Sequence, residues 1–171
     1  DGTVLAIPGY QNDGNGPNSG HVRVFVWSGT DWTQRGLDIE GEAGNDRFGR
    51  SVSLSSSGTI LAVGALFNNG GGSNSGHARV FRWTGTSWDQ IGRDLDGPSS
   101  SDRFGSSVSL SSSGSVLAVG GDRYNINGML SNDVGIARVF GFDGNQWVQM
   151  GQDIVGMLLG DRLGFALSLS A

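Results

Sequence analysis

The sequence predicts an all-β chain assembled from repeated four-stranded units. Three observations carry that expectation. First, long segments recur: DRFGRSVSLSSSGTILAVGA at 46–65, DRFGSSVSLSSSGSVLAVGG at 102–121 and DRLGFALSLS at 161–170, at offsets of 56 and 59 residues. Second, apolar residues alternate with polar ones in short runs, the period of a strand with two unlike faces. Third, the composition opposes helices. All 11 basic residues are Arg, 14 of the 16 acids are Asp, and Gly supplies 31 of the 171 residues. Asp and Gly serve turns, whereas Lys and Glu serve helix surfaces.

Two further signatures repeat in step: SGHVRVFVW at 19–27, SGHARVFRW at 75–83 and GIARVFGF at 135–142, then WSGTDWTQRGLDIEG from 27, WTGTSWDQIGRDLDG from 83 and FDGNQWVQMGQDIVG from 142. Each repeat therefore holds four strand signals. The first is the alternating F-G-x-S-V-S-L-S. A Ser-Ser-Ser-Gly hairpin leads to the second, the apolar T-I-L-A-V-G. A longer Gly/Asn loop leads to the third, G-H-A-R-V-F-x-W. A tight G-x-x-W turn leads to the fourth, W-x-Q-x-G-x-D-[IL]. Four short antiparallel strands repeated at this period are the content of propeller blades. The Gly and Ser load suits inner strands that converge near an axis.

The repeats predict a first blade over 1–45 (strands two to four), a second over 46–101 and a third over 102–160, with 161–171 as the first strand of the next or closing blade. Closed propellers use about four to eight blades. The chain is therefore expected to be a segment of a longer array, with two chains sharing one ring as the alternative. It lacks an initiator Met, which fits a mature piece or a segment. Pro8 cannot donate to a ladder, so its strand is expected to end or face an edge there.

Several function classes are disfavoured. There is no Cys, so disulfides and Cys-ligated metals are excluded. No run of 18 apolar residues exists, so no helix would insert in a membrane. The net charge of −5, without clustered basic residues in the sequence, opposes nucleic acid as a partner. Catalysis finds no support: there is no nucleophile elbow, and both His21 and His77 fall in apolar strands. Glu40 and Glu42 have Asp96/Pro98 and Val155/Met157 as counterparts, so no repeated acid pair emerges.

The loop between strands two and three varies most. Asn12, Asp13, Asn15 and Asn18 offer oxygens at alternating spacing, as do Asp122, Asn125, Asn127 and Asp133 in the third copy. Calcium is the ion such oxygens would hold, although Asn-Gly and Asp-Gly are also ordinary turn formers. Met129 and Leu130 in the third loop are candidate apolar anchors for a partner. Arg23, Arg79 and Arg138 share one strand-three position and need carboxylates. Asp46, Asp102 and Asp161 are the favoured partners in repeated structural ion pairs, with Asp38, Asp94 and Asp153 as the other set. Arg47, Arg103 and Arg162 adjoin a loop, where they would bond turn carbonyls or line a rim. The pairs Trp27/Trp32, Trp83/Trp88 and Phe142/Trp147 flank the tight hairpin and are expected to pack across it. His21 and His77 align with Ile136, so they are read as packed.

The stretch FGRSVSLSSSGTILAVGA resembles the FG-GAP repeat of integrin-α-type β-propellers, as found in large secreted or surface repeat proteins of marine microbes. The resemblance implies an extracellular or cell-surface, non-enzymatic module for adhesion, ligand recognition or scaffolding, with a protein or glycan ligand, or copies of itself, as partner. A lectin-like carbohydrate-binding propeller is the alternative, and a glycoside-cleaving propeller the lesser one. Many repeats of this family carry an Asp-rich calcium loop where this chain has SSSG, at 55–58 and 111–114. Hydroxyls replace carboxylates poorly around a hard cation.

Overall fold

The computed structural model describes residues 2–125 and 133–170. Among them there is no helix; the strands form three antiparallel sheets. The first sheet holds β1 (Val4–Gly9), β2 (His21–Trp27), β3 (Trp32–Gln34) and β4 (Ile39–Glu40). The second holds β5 (Phe48–Leu54), β6 (Ile60–Ala65), β7 (His77–Trp83), β8 (Trp88–Gln90) and β9 (Leu95–Asp96). The third holds β10 (Phe104–Leu110), β11 (Val116–Gly121), β12 (Ile136–Phe142), β13 (Trp147–Gln149) and β14 (Ile154–Val155). They stand as successive blades of a propeller-like array that is not closed into a ring. Pro8 lies in β1, an edge strand of its sheet, where the missing donor costs no ladder bond.

The continuous apolar second strand is explained by burial on both faces. All six residues of β6 are buried. Leu61 and Val63 face the first blade, in a cluster with Val22, Val24, Phe48 and Phe81. Ile60 and Ala62 face the third, in a cluster with Val80, Phe104, Leu117 and Phe140. Neighbouring blades also touch through backbone. A Cβ on Gly64 would strike the Gly105 carbonyl, and one on Gly120 the Gly164 carbonyl. The inner-strand serines complete the contact: Ser51 Oγ donates to Gly105 O at 2.9 Å, and Ser107 Oγ to Gly164 O at 2.6 Å.

Two expectations are corrected. The fourth strand is not continuous, because it breaks into β3 and β4, β8 and β9, and β13 and β14, all pairing with the third strand. Each break carries a glycine with positive φ: Gly36 at 80°, Gly92 at 76° and Gly151 at 74°. In the first two breaks that glycine also admits the next blade's aromatics. Trp83 and Trp88 lie against Gly36, and Trp88 Nε1 donates to Arg35 O at 2.9 Å. Trp147 repeats this against Gly92 and donates to Ile91 O at 3.2 Å. The second correction concerns the terminal segment. Its described residues, 161–170, form no strand. They nevertheless lie against β10 as β10 lies against β5: Leu169 N donates to Ser109 Oγ at 2.9 Å, as Leu110 N does to Ser53 Oγ at 2.9 Å. These bonds go to hydroxyls rather than to a neighbouring strand's backbone.

Candidate functional site: the loop face

The third-strand arginines are anchored mainly within their own blade. Arg23 Nε donates to both Asp38 oxygens, at 3.2 and 3.0 Å. Arg138 donates through Nε and Nη2 to Asp153, both at 2.8 Å. The Q-x-G-x-D spacing supplies a second donor. Gln34, Gln90 and Gln149 bridge the strand break to Asp38, Asp94 and Asp153, at 2.7, 2.7 and 2.8 Å. The Arg138 hydrogen bonds hold the Asp153 carboxyl below the usual carboxylate range. Burial pushes Asp38 up, but Gln34 and Arg23 outweigh it and leave that carboxyl low as well.

Asp46, Asp102 and Asp161 are therefore not the ion-pair partners. They are already committed to capping and bracing. Asp102 Oδ2 accepts from Ser99 N at 2.7 Å, Asp161 Oδ2 from Met157 N at 2.9 Å and Leu158 N at 2.8 Å, and Asp46 from Asn68 Nδ2 at 2.9 Å. Burial raises the Asp102 carboxyl to about 6, against the pull of the Ser99 N–H and Arg138. Arg79 also departs from its siblings. It turns to the preceding blade, donating to Glu40 O at 2.8 Å and Glu42 Oε1 at 3.4 Å, and stacks 4.3 Å above Phe48.

The two histidines sit beside these carboxylates. His21 Nδ1 is 3.4 Å from Asp38, and His77 Nδ1 is 3.6 Å from Asp94. His77 is 1% exposed with neither ring nitrogen hydrogen-bonded. Burial, with the Arg79 charge adding to it, lowers its pKa to about 4. His21, Asp38 and Glu40, and likewise Glu42, His77 and Asp94, bring possible ligand atoms within 4.8 Å of one another. The second group escaped sequence reasoning because Glu42 arrives from the preceding blade. In each group an arginine already compensates one carboxylate: Arg23 on Asp38, Arg79 on Glu42.

The variable loops share one backbone plan. Asn12 Oδ1 accepts from Gly14 N at 2.8 Å and Asp13 Oδ1 from Asn18 N at 2.7 Å. In the second loop Asn68 Oδ1 accepts from Gly70 N at 2.7 Å and Asn69 Oδ1 from Asn74 N at 2.8 Å. Asn15 donates through Nδ2 to Gly41 O at 2.8 Å, and Asn18 takes φ 52° at the loop's end. In the third loop Asn125 Oδ1 accepts from Asp133 N at 2.9 Å, while Asp133 lies 3.9 Å from Arg123 and 3.6 Å from Arg162. Asp122 is buried. The side-chain oxygens of Asn12, Asp13, Asn68, Asn69 and Asn125 thus accept from the loops' own N–H groups, the turn chemistry of Asx residues. Asn127, Met129 and Leu130 lie outside the described residues.

Each loop is stapled to the D-R-[FL]-G turn of the next repeat. Arg47 N donates to Asn18 O at 3.1 Å and Phe48 N to Ser19 O at 2.9 Å. Arg103 N and Phe104 N repeat this on Asn74 and Ser75, at 3.3 and 2.8 Å. Arg162 N and Leu163 N do so on Asp133 and Val134, at 3.0 and 3.0 Å. The geometry places the three arginines in left-handed backbone, at φ 54°, 56° and 50°. The expected carbonyl contact is therefore made by their main-chain N–H groups.

The FG-GAP repeat model matches residues 40–81, a stretch running from β4 through most of β7. No curated protein matches the chain. Such repeats are generally non-catalytic and are typical of extracellular or surface proteins. The match covers the larger part of one recurring unit, and the same loop staple and Gln–Asp bridge are built in all three blades. Residues 40–81 thus match an FG-GAP repeat, and the chain carries repeats of that FG-GAP-like kind.

Proposed function

We propose that the chain is a non-enzymatic extracellular module that recognises a ligand through its loop face. One observation carries this reading: an identical staple holds loops of different sequence. Main-chain bonds to the D-R-[FL]-G turns hold the base of each loop, while the tips read NDGNGPN at 12–18, NNGGGSN at 68–74 and a longer, unlike sequence in the third copy. A rigid scaffold presenting variable loops is the usual arrangement for binding. The repeated ion pairs belong to the scaffold, because a function confined to one place does not need the same pair in each blade.

The test is a loop transplant. The second loop's NNGGGSN replaces residues 12–18, a change of equal length onto the same backbone plan. Wild type and variant are then applied to a glycan array and to immobilised extracellular matrix proteins. Ligand recognition predicts binding that the transplant weakens, with the melting temperature unchanged. Binding that survives transplants in every loop would overturn the proposal, as would no binding to either surface.

A further inference from the structure

We propose that a cavity at the inner end of the loop face is an oxyanion site, built to take a sulfate- or phosphate-type group. The inference rests on the ligand-recognition reading and names the chemistry that one part of that face would accept. The cavity, of about 250 Å³, opens where the second and third blades meet the terminal segment. Arg47, Arg50, Arg103 and Arg162 line it, with Phe67 in its wall and Asp122 as the single acidic lining residue. Four guanidinium groups around one acid form a positive concavity on a chain whose net charge is −5.

These guanidinium groups are not neutralised in the way the third-strand arginines are. Among the described residues, none of Arg47, Arg50 and Arg103 has a carboxylate within ion-pair distance. Arg162 has Asp133 at 3.6 Å, and Asp133 also serves Arg123 at 3.9 Å. Arg47 and Arg103 lie 4.8 and 5.0 Å from the centroid of the same Phe67 ring. That stacking positions both groups without using their N–H donors. Burial and the positive charges of Arg123 and Arg162 depress the Arg103 guanidinium, with Asp122 and Asp133 opposing. Crowded like charge of this kind is relieved by a bound anion.

The turn itself does not explain the choice of arginine. Left-handed backbone is easiest for Gly or Asn, and Asn45, one position before Asp46, shows that this chain uses Asn in that conformation. Arginine stands there in all three copies, and the convergence of the blades brings the three side chains to one cavity. A planar guanidinium matches the paired oxygens of a sulfate or phosphate, and several can engage one tetrahedral anion. Chloride offers no such pairing. The same chemistry would serve a free anion or a sulfate ester carried on a glycan.

The experiment is titration calorimetry on the whole chain. Sodium sulfate, inorganic phosphate and a sulfated oligosaccharide are compared with its desulfated form and with sodium chloride at matched ionic strength. Two variants accompany it. Arg50→Ser installs the residue that the third blade carries as Ser106, at an exposed position, so the fold is expected to be unaffected. Arg103→Gln removes a guanidinium from the Phe67 stack. The expected result is saturable binding of sulfate or phosphate but not chloride. Arg50→Ser weakens it about threefold or more at unchanged melting temperature, and Arg103→Gln weakens it further. Tighter binding of the sulfated oligosaccharide than of free sulfate identifies a glycan-borne group, and equal binding identifies the free anion. The proposal is overturned if none of these anions binds beyond chloride, or if both variants bind as wild type does. The loop transplant at 12–18 leaves this cavity untouched, so a failure of loop-borne recognition registers separately.

Discussion

His77→Ile tests the electrostatic account of the blade interior. The imidazole is 1% exposed, its nitrogens have no hydrogen-bond partner, and its pKa is lowered to about 4 from 6.5. The cause is burial first and Arg79 second, with Asp94 pulling the other way. A base with a depressed folded value binds its proton in the unfolded chain first. Its contribution to stability is therefore intact above about 6.5 and is lost as the pH falls towards 4. Two and a half pH units at 1.36 kcal/mol each amount to about 3 kcal/mol of acid destabilisation. Isoleucine is a sound replacement because Ile136 holds the same position in the third blade and is 0% exposed there. At pH 7.5 the variant should be as stable as wild type or about 1 kcal/mol more stable, since an unpaired polar ring no longer has to be buried. The assay is urea denaturation of both proteins at steps between pH 7.5 and 4. Taking the difference between them matters, because the raised carboxyl of Asp102 acts in the opposite direction over the same range. Parallel pH curves for the two proteins would refute the reasoning. So would a loss of stability at pH 7.5, which would mean that the imidazole has a partner there.

Five further variants have expected outcomes. Asp102, raised to about 6 from 3.8, keeps its proton in the fold after the unfolded chain has lost it. Its contribution is thus fully present below about 4 and is lost as the pH rises to 6. Asp102→Asn should abolish that loss, up to about 3 kcal/mol, in the same urea series. Arg79→Ala removes the donor to the Glu40 carbonyl and to Glu42 Oε1 and uncovers Phe48, so it should cost about 3 kcal/mol. Arg138→Ala, at a more exposed pair, should cost about 1 kcal/mol, and thermal melts of the two proteins rank them. Gly64→Ala forces a Cβ onto the next blade's Gly105 carbonyl and should cost about 3 kcal/mol. Gly85→Ala meets nothing within 4 Å at φ 104° and should cost about 1 kcal/mol, from backbone conformation alone.

The repeated blade was legible in the sequence because period and alternation are linear properties. The four signals, their hairpins and the doubly buried second strand follow from it. The break in the fourth strand was not legible. Gly36 reads as one weak residue in a run, and its purpose appears only when Trp88 of the following blade is placed against it. The Arg79 partner was hidden for a related reason: Arg23, Arg79 and Arg138 look alike in sequence. The difference lies in Glu42, whose counterparts Pro98 and Met157 carry no charge. Only the blade after Glu42 can reach it. The loop oxygens were ambiguous because Asx spacing suits a cation and a chain of N–H groups equally well. The arginine cavity was invisible for the plainest reason, that residues 47, 103 and 162 become neighbours only once blades are set side by side.

The staple between each loop and the next turn is written in carbonyl oxygens, which all amino acids possess. Selection can therefore revise the middle of a tip, or lengthen it as the third copy has done, while the main-chain clasp to the adjoining turn stays in place. Duplication supplies fresh copies of the frame, and drift in the tips supplies variety. The same property would make this chain a ready frame for randomised-loop libraries, with the diversified positions confined to 16–17 and 70–73 and the carbonyl-bearing residues that follow them left as clasps.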